Sequence, residues 1–124
     1  MISDIKNRYK YGVTRADVYK LHVIFSDFML GKLKYMYDHV DELEHVPSKL
    51  SEQGDEIGTL EKSEWKSILG EIIYAFEYDV YGNDEEMPED VSEVGEYLTE
   101  SYEKEFRYKR GLRLLGVYYS HLWG

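Results

Sequence analysis

The chain has 124 residues, 43% of them apolar and 32% charged, with no cysteine and a net charge of -10. One domain over residues 1–124 is the expectation at this length, and disulfides, zinc–thiolate centres, iron–sulfur clusters and thiol nucleophiles are excluded. The acid excess argues against direct nucleic-acid binding and for a basic partner, and no run of ~18 apolar residues offers a membrane span.

Met1 is followed by Asp4, Lys6, Arg8 and Lys10 rather than an apolar leader, so no signal peptide is expected and a cytoplasm is the expected location. Thr14 and Asp17 resemble a capping box with the shorter acid, which starts the first predicted helix after Thr14. Val18, Leu21, Phe25, Phe28 and Tyr35 or Met36 form its stripe, widened by Ile24, Met29 and Leu33, to about His39. Residues 41–58 hold Pro47, Gly54, Gly58 and many acids and read as a loop. The second helix runs from about Glu61 to Tyr81 on Trp65, Ile68, Leu69, Ile72, Ile73, Phe76 and Val80, with Glu61 and Glu64 in its positive first turn. Gly82-Asn83-Asp84 stops it.

After a second acidic loop, the third helix starts near Val91 and reaches toward Leu122. Tyr108, Leu112, Leu115, Tyr119 and Leu122 form a heptad-like seam. The expected architecture is all-α: a three-helix bundle, or four helices if the last one breaks near Tyr102, with no significant sheet. Glycines inside the patterns, at positions 31, 70, 95, 111 and 116, each cost ~1 kcal/mol against alanine and so suggest close helix approaches.

Three segments stand out: Tyr11-Gly12 with Asp17-Val18-Tyr19 and the helix ending near Leu33-Lys34; Trp65-Lys66-Ser67-Ile68-Leu69 with Ile72-Ile73-Tyr74-Ala75-Phe76-Glu77; and the closing run Gly111-Leu112-Arg113-Leu114-Leu115-Gly116-Val117-Tyr118-Tyr119-Ser120-His121-Leu122-Trp123. Together they resemble an uncharacterised family of small helical proteins encoded by tailed bacteriophages. The chain departs from the family pattern at Arg110, where an acid is expected, and at Val117, where a lysine is expected. The resemblance implies a phage origin, a host cytoplasm and a helical fold, and implies no reaction.

Candidate chemistry is sparse. Glu42-x-x-His45 has di-iron ligand spacing but lacks the second pair such a bundle needs. Glu61-x-x-Glu64 is half of a magnesium-binding carboxylate set whose later Glu-x-x-Asp is missing, so first-turn acids explain it better. No two of His22, His39, His45 and His121 are three or four residues apart, though His22 and His121 could meet across the bundle. There is no nucleophile elbow and no phosphate-cradling glycine loop. No enzyme, cofactor or metal is expected.

Charge supplies the main functional lead. Residues 81–100 hold eight acids and no base, and Lys104, Arg107, Lys109, Arg110 and Arg113 follow as internal neutralisers. Asp79, Asp84, Glu85, Glu86, Glu89, Asp90, Glu93, Glu96 and Glu100 form the expected partner-binding face. On a helix, Glu89, Glu93, Glu96 and Glu100 would share one side and imitate a phosphate row. The expected function is inhibition of a basic, nucleic-acid-binding host or defence protein, for example a CRISPR effector, by nucleic-acid mimicry. The alternative is a phage assembly module that forms a homodimer through Leu115, Tyr118, Tyr119, Leu122 and Trp123. A metal-dependent hydrolase using Glu61, Glu64 and acids of the third helix is the weaker alternative. Thirteen tyrosines exceed what one core holds; Tyr78, Tyr81, Tyr97 and Tyr102, beside acids, are the interface candidates.

Overall fold

A computed structural model describes residues 2–82 and 89–123 of the chain. The described elements are α1 (Ile2–Tyr11), α2 (Arg15–Val18), α3 (Leu21–Asp38), a 3-10 turn (Val40–Glu42), β1 (Ser48–Leu50), β2 (Glu56–Thr59), α4 (Lys62–Tyr81), α5 (Val91–Tyr118) and a closing 3-10 turn (Tyr119–His121). The architecture is all-α, with one small hairpin.

The central element is α4, against which both α3 and α5 pack. Its predicted stripe is its buried stripe: Trp65, Leu69, Ile72, Ile73, Ala75 and Phe76 are all buried. Each large side chain removed from water there contributes roughly 1.5–3 kcal/mol. Glu61 turns out to be the N-cap rather than a first-turn residue: with Glu64 it forms a capping box, and its N–H donates to Glu64 Oε1 at 3.2 Å. The helix stops at Gly82, whose φ of 68° suits glycine and whose N–H donates to the Tyr78 carbonyl at 2.8 Å.

The first predicted helix is divided. Lys20 takes a left-handed φ of 51° between α2 and α3. The physical reason lies in α4. Antiparallel packing puts Phe25 edge-on to Phe76 and Ser26 beside Asp79, so residues before Leu21 have passed the end of α4. Among the described residues nothing there covers Val18, which stays 49% exposed. The buried face of α3 also differs from the expected one. Ser26, Leu30 and Leu33 face α4, whereas Leu21, Phe25, Phe28 and Tyr35 are exposed. Apolar residues surround α3 almost completely, so period alone did not select a side. The helix α1, unassigned from sequence, ends where Gly12, at φ 74°, donates to the Arg8 carbonyl.

Inside the expected loop 41–58 lies an antiparallel hairpin, with Ser48 opposite Thr59, Lys49 opposite Gly58 and Leu50 opposite Glu56. Strands of three and four residues are too short to display a period of two. The hairpin is fastened to the bundle at Leu50, whose N–H donates to the Tyr118 hydroxyl at 3.0 Å. Tyr118 in turn packs on Trp65.

Of the glycines expected at close helix approaches, two are. A β-carbon on Gly111 would lie 2.4 Å from the Glu71 carbonyl oxygen, and one on Gly70 would lie 3.3 Å from the Tyr37 ring. Gly31, Gly95 and Gly116 have open space around them.

Candidate functional site

The 28 residues of α5 make it the longest described element, about 42 Å against about 30 Å for α4. Tyr108 meets Asp79 near the end of α4, so the first half of α5 runs on past its neighbour. Asp90 caps it: the carboxylate accepts the Ser92 N–H at 3.0 Å and the Ser92 hydroxyl at 2.9 Å. These bonds hold the Asp90 carboxyl below its ordinary range.

From this cap Glu93, Glu96, Glu100 and Glu103 step by three, four and three residues, and all are exposed. Successive carboxylates on such a face lie ~5–6 Å apart. Glu89 is exposed but precedes the cap, so the helical row starts at Glu93 and gains Glu103 rather than starting at Glu89. Asp84, Glu85 and Glu86 lie outside the described residues.

Asp79 has a different role from its neighbours in the expected face. Its Oδ1 accepts from the Tyr108 hydroxyl at 2.6 Å and its Oδ2 from the Ser26 hydroxyl at 2.9 Å. Ser26 is fully buried and also lies 2.7 Å from the His22 carbonyl, which competes for the same proton. Asp79 thus ties α3, α4 and α5 together from within. Burial, then the hydrogen bond to Asp79 and its negative charge, push the Tyr108 hydroxyl up to about 12.

The bases that follow the acidic block are partly engaged elsewhere. Arg107 makes two 3.2 Å bonds to Glu71 on α4 and lies over the Tyr74 ring. Lys109 pairs with Glu105 one turn back. Lys49, Arg110 and Arg113 make no ion pair among the described residues. These three line a groove of about 640 Å³ between the hairpin, α4 and α5, whose floor includes Leu50, Leu60, Ile68, Leu114 and Val117, with Phe106 at one end. The sequence reading missed this groove because its outer wall is the unassigned hairpin. The Gly54-Asp55 turn was the available signal, since Gly54 has a φ of 87°.

The C-terminal seam is divided by the fold. Tyr118 is buried, and Leu115 and Leu122 pack against the core. Only Tyr119 and Trp123 of that set stand exposed, so the five residues do not form one outer face. The helix repeat explains it: Tyr108, Gly111, Leu115, Tyr118 and Leu122 point at α4 and the hairpin, and Tyr119 lies one residue off that line. Among the interface tyrosines, Tyr81 and Tyr102 are exposed, while the Tyr78 ring packs tilted against Tyr108.

His22 and His121 sit at opposite ends of the bundle, one beside Ser26 and the other beside Tyr118, and do not meet. Glu42 ends a 3-10 turn, with His45 in the loop beyond. Among the described residues no group of three or more His, Asp or Glu side chains could hold a metal ion. No helix of the described residues is long and apolar enough to cross a membrane.

The fold and site thus define a small helical bundle bearing an exposed acidic half-helix. No protein-family model, curated protein or solved structure matches the chain.

Proposed function

We propose that this chain is a non-catalytic binding protein whose carboxylate row on the first half of α5 occupies a basic, nucleic-acid-binding surface of a partner protein. One observation carries the reading: Glu93, Glu96, Glu100 and Glu103 stand exposed on one side of a helix that outruns its own bundle. Such a row resembles a phosphate backbone in sign and approximate pitch. A folded scaffold holds it in place, so little conformational entropy is lost on docking. The resemblance of three sequence segments to phage-encoded proteins makes a host or defence protein the partner class.

The experiment is capture from host lysate on immobilised protein, with elution by salt and competition by duplex DNA. The expected result is recovery of nucleic-acid-binding proteins that DNA displaces and that Glu93→Lys with Glu96→Lys no longer retains. Retention by that double variant equal to the parent protein, at every salt concentration, overturns the reading.

A further inference from the structure

We propose that two copies of this chain pair through the solvent face of α5, antiparallel, across a two-fold axis between Phe106 and Arg107. The observation is a division of charge along one helix. Residues 91–105 carry five acids and one base, and residues 106–118 carry four bases and no acid. The helix dipole rewards such placement only within the first and last turns. Glu103, Arg107 and Arg110 are in the middle of α5, where that reward is absent.

The same helix leaves apolar side chains uncovered. Leu98, Tyr102 and Phe106, spaced by four, are 41%, 68% and 64% exposed. Beyond Phe106 this side of α5 continues into the groove walled by the hairpin, with its apolar floor and with Lys49, Arg110 and Arg113 free of ion pairs among the described residues. Glu52 and Glu64 also line the groove, on the hairpin and α4 sides, so the basic part is the α5 wall with Arg110 and Arg113. That wall calls for an acidic, apolar segment, and the first half of α5 is one.

Antiparallel pairing meets that requirement twice. Glu103 and Arg110 lie equally far from the proposed axis, as do Glu100 and Arg113. The first half of each α5 therefore enters the groove of the other copy, with Glu103 opposite Arg110, seven residues apart and on one side of the helix, and with Glu100 and Arg113 on the flanks of that contact. A parallel pair would instead set acids on acids and bases on bases, which is repulsive. The two-fold makes the contact self-complementary and closed. The interface differs from the expected C-terminal seam, and it leaves Asp90 and Glu93 at the free end of the helix. The pairing uses the same half-helix as the proposed function and covers Glu100 and Glu103 of the carboxylate row, so only the monomer presents the whole row to a partner; self-association is read without any partner, so the two readings fail separately.

Light scattering on the purified chain tests this. The expected result is a dimer. Glu100→Lys with Glu103→Lys, and separately Arg110→Glu with Arg113→Glu, should each weaken it by roughly a hundredfold, since both copies then present like charges. Mixing the two variants in equal amounts should restore a dimer, because the reversed half of each then meets the reversed half of the other, of opposite sign, and the two unreversed halves meet as in the parent chain. All four side chains are exposed, and circular dichroism confirms that each variant folds. If a variant does not fold, Leu98→Ala with Tyr102→Ala replaces it and should dissociate the pair. A parent chain that stays monomeric at its highest soluble concentration overturns the proposal. So does a dimer that neither charge variant disturbs, or two variants that remain monomeric when mixed.

Discussion

The Tyr108 hydroxyl donates to Asp79 across the α4–α5 contact at 2.6 Å, while Ser26 of α3 reaches the other oxygen of the same carboxylate. One acid thus links three helices at the point where α5 leaves the bundle. A polar group in this position selects one register among those that apolar packing alone would allow.

This link has a pH signature. The Tyr108 hydroxyl titrates at about 12 in the fold, against an ordinary value of 10.0. A raised folded value stabilises the fold fully below 10, and the contribution is lost as pH rises from 10 through about 12. Tyr108→Phe should lower stability at neutral pH by ~1–3 kcal/mol, because Asp79 loses a donor in a half-buried site. The gap between parent and variant should then narrow as the solution is made alkaline. Denaturant titrations at stepped pH check this, and a gap that stays constant to pH 12 would contradict the assignment.

Gly111 sets the spacing of α4 and α5. A β-carbon there would lie 2.4 Å from the Glu71 carbonyl and 2.7 Å from the Ala75 β-carbon. Backbone on one side and a helix-held methyl on the other leave little room to yield. Gly111→Ala should therefore cost ~1–3 kcal/mol despite its better helix propensity. Gly116→Ala, in open space on the same helix, should instead stabilise by up to about 1 kcal/mol. Thermal melts of the two variants should move in opposite directions.

Trp65 and Phe76 occupy the two ends of the buried stripe of α4 and are 1% and 2% exposed. Trp65 packs on Tyr118, and Phe76 takes the Phe25 ring edge-on. Truncation of either to alanine should destabilise by ~3–5 kcal/mol, through lost transfer energy and a cavity that helices on both sides hold open. Chemical denaturation would show the loss as a lower midpoint with an unchanged slope.

Features that depend on neighbours along the chain are legible in the sequence. The stripe from Trp65 to Phe76 has one apolar side and a polar remainder, so its period already named the buried face. The glycine stop at Gly82 and the division of charge along residues 91–118 are likewise local, and they led to the acidic half of the candidate site. Tertiary structure decided what depends on which neighbour arrives. Apolar residues ring α3, so only contact with α4 chose Ser26, Leu30 and Leu33 over Phe25 and Phe28. Asp79 looked like one more surface acid until Ser26 and Tyr108, 53 residues before and 29 after it, closed on its two oxygens. Tyr118 and Tyr119 are adjacent and chemically identical, yet a rotation of ~100° per residue sends one into the core and the other into water. The groove carrying Lys49, Arg110 and Arg113 joins a hairpin to a helix some 60 residues later. Long-range closure of that kind leaves no periodic mark in the sequence.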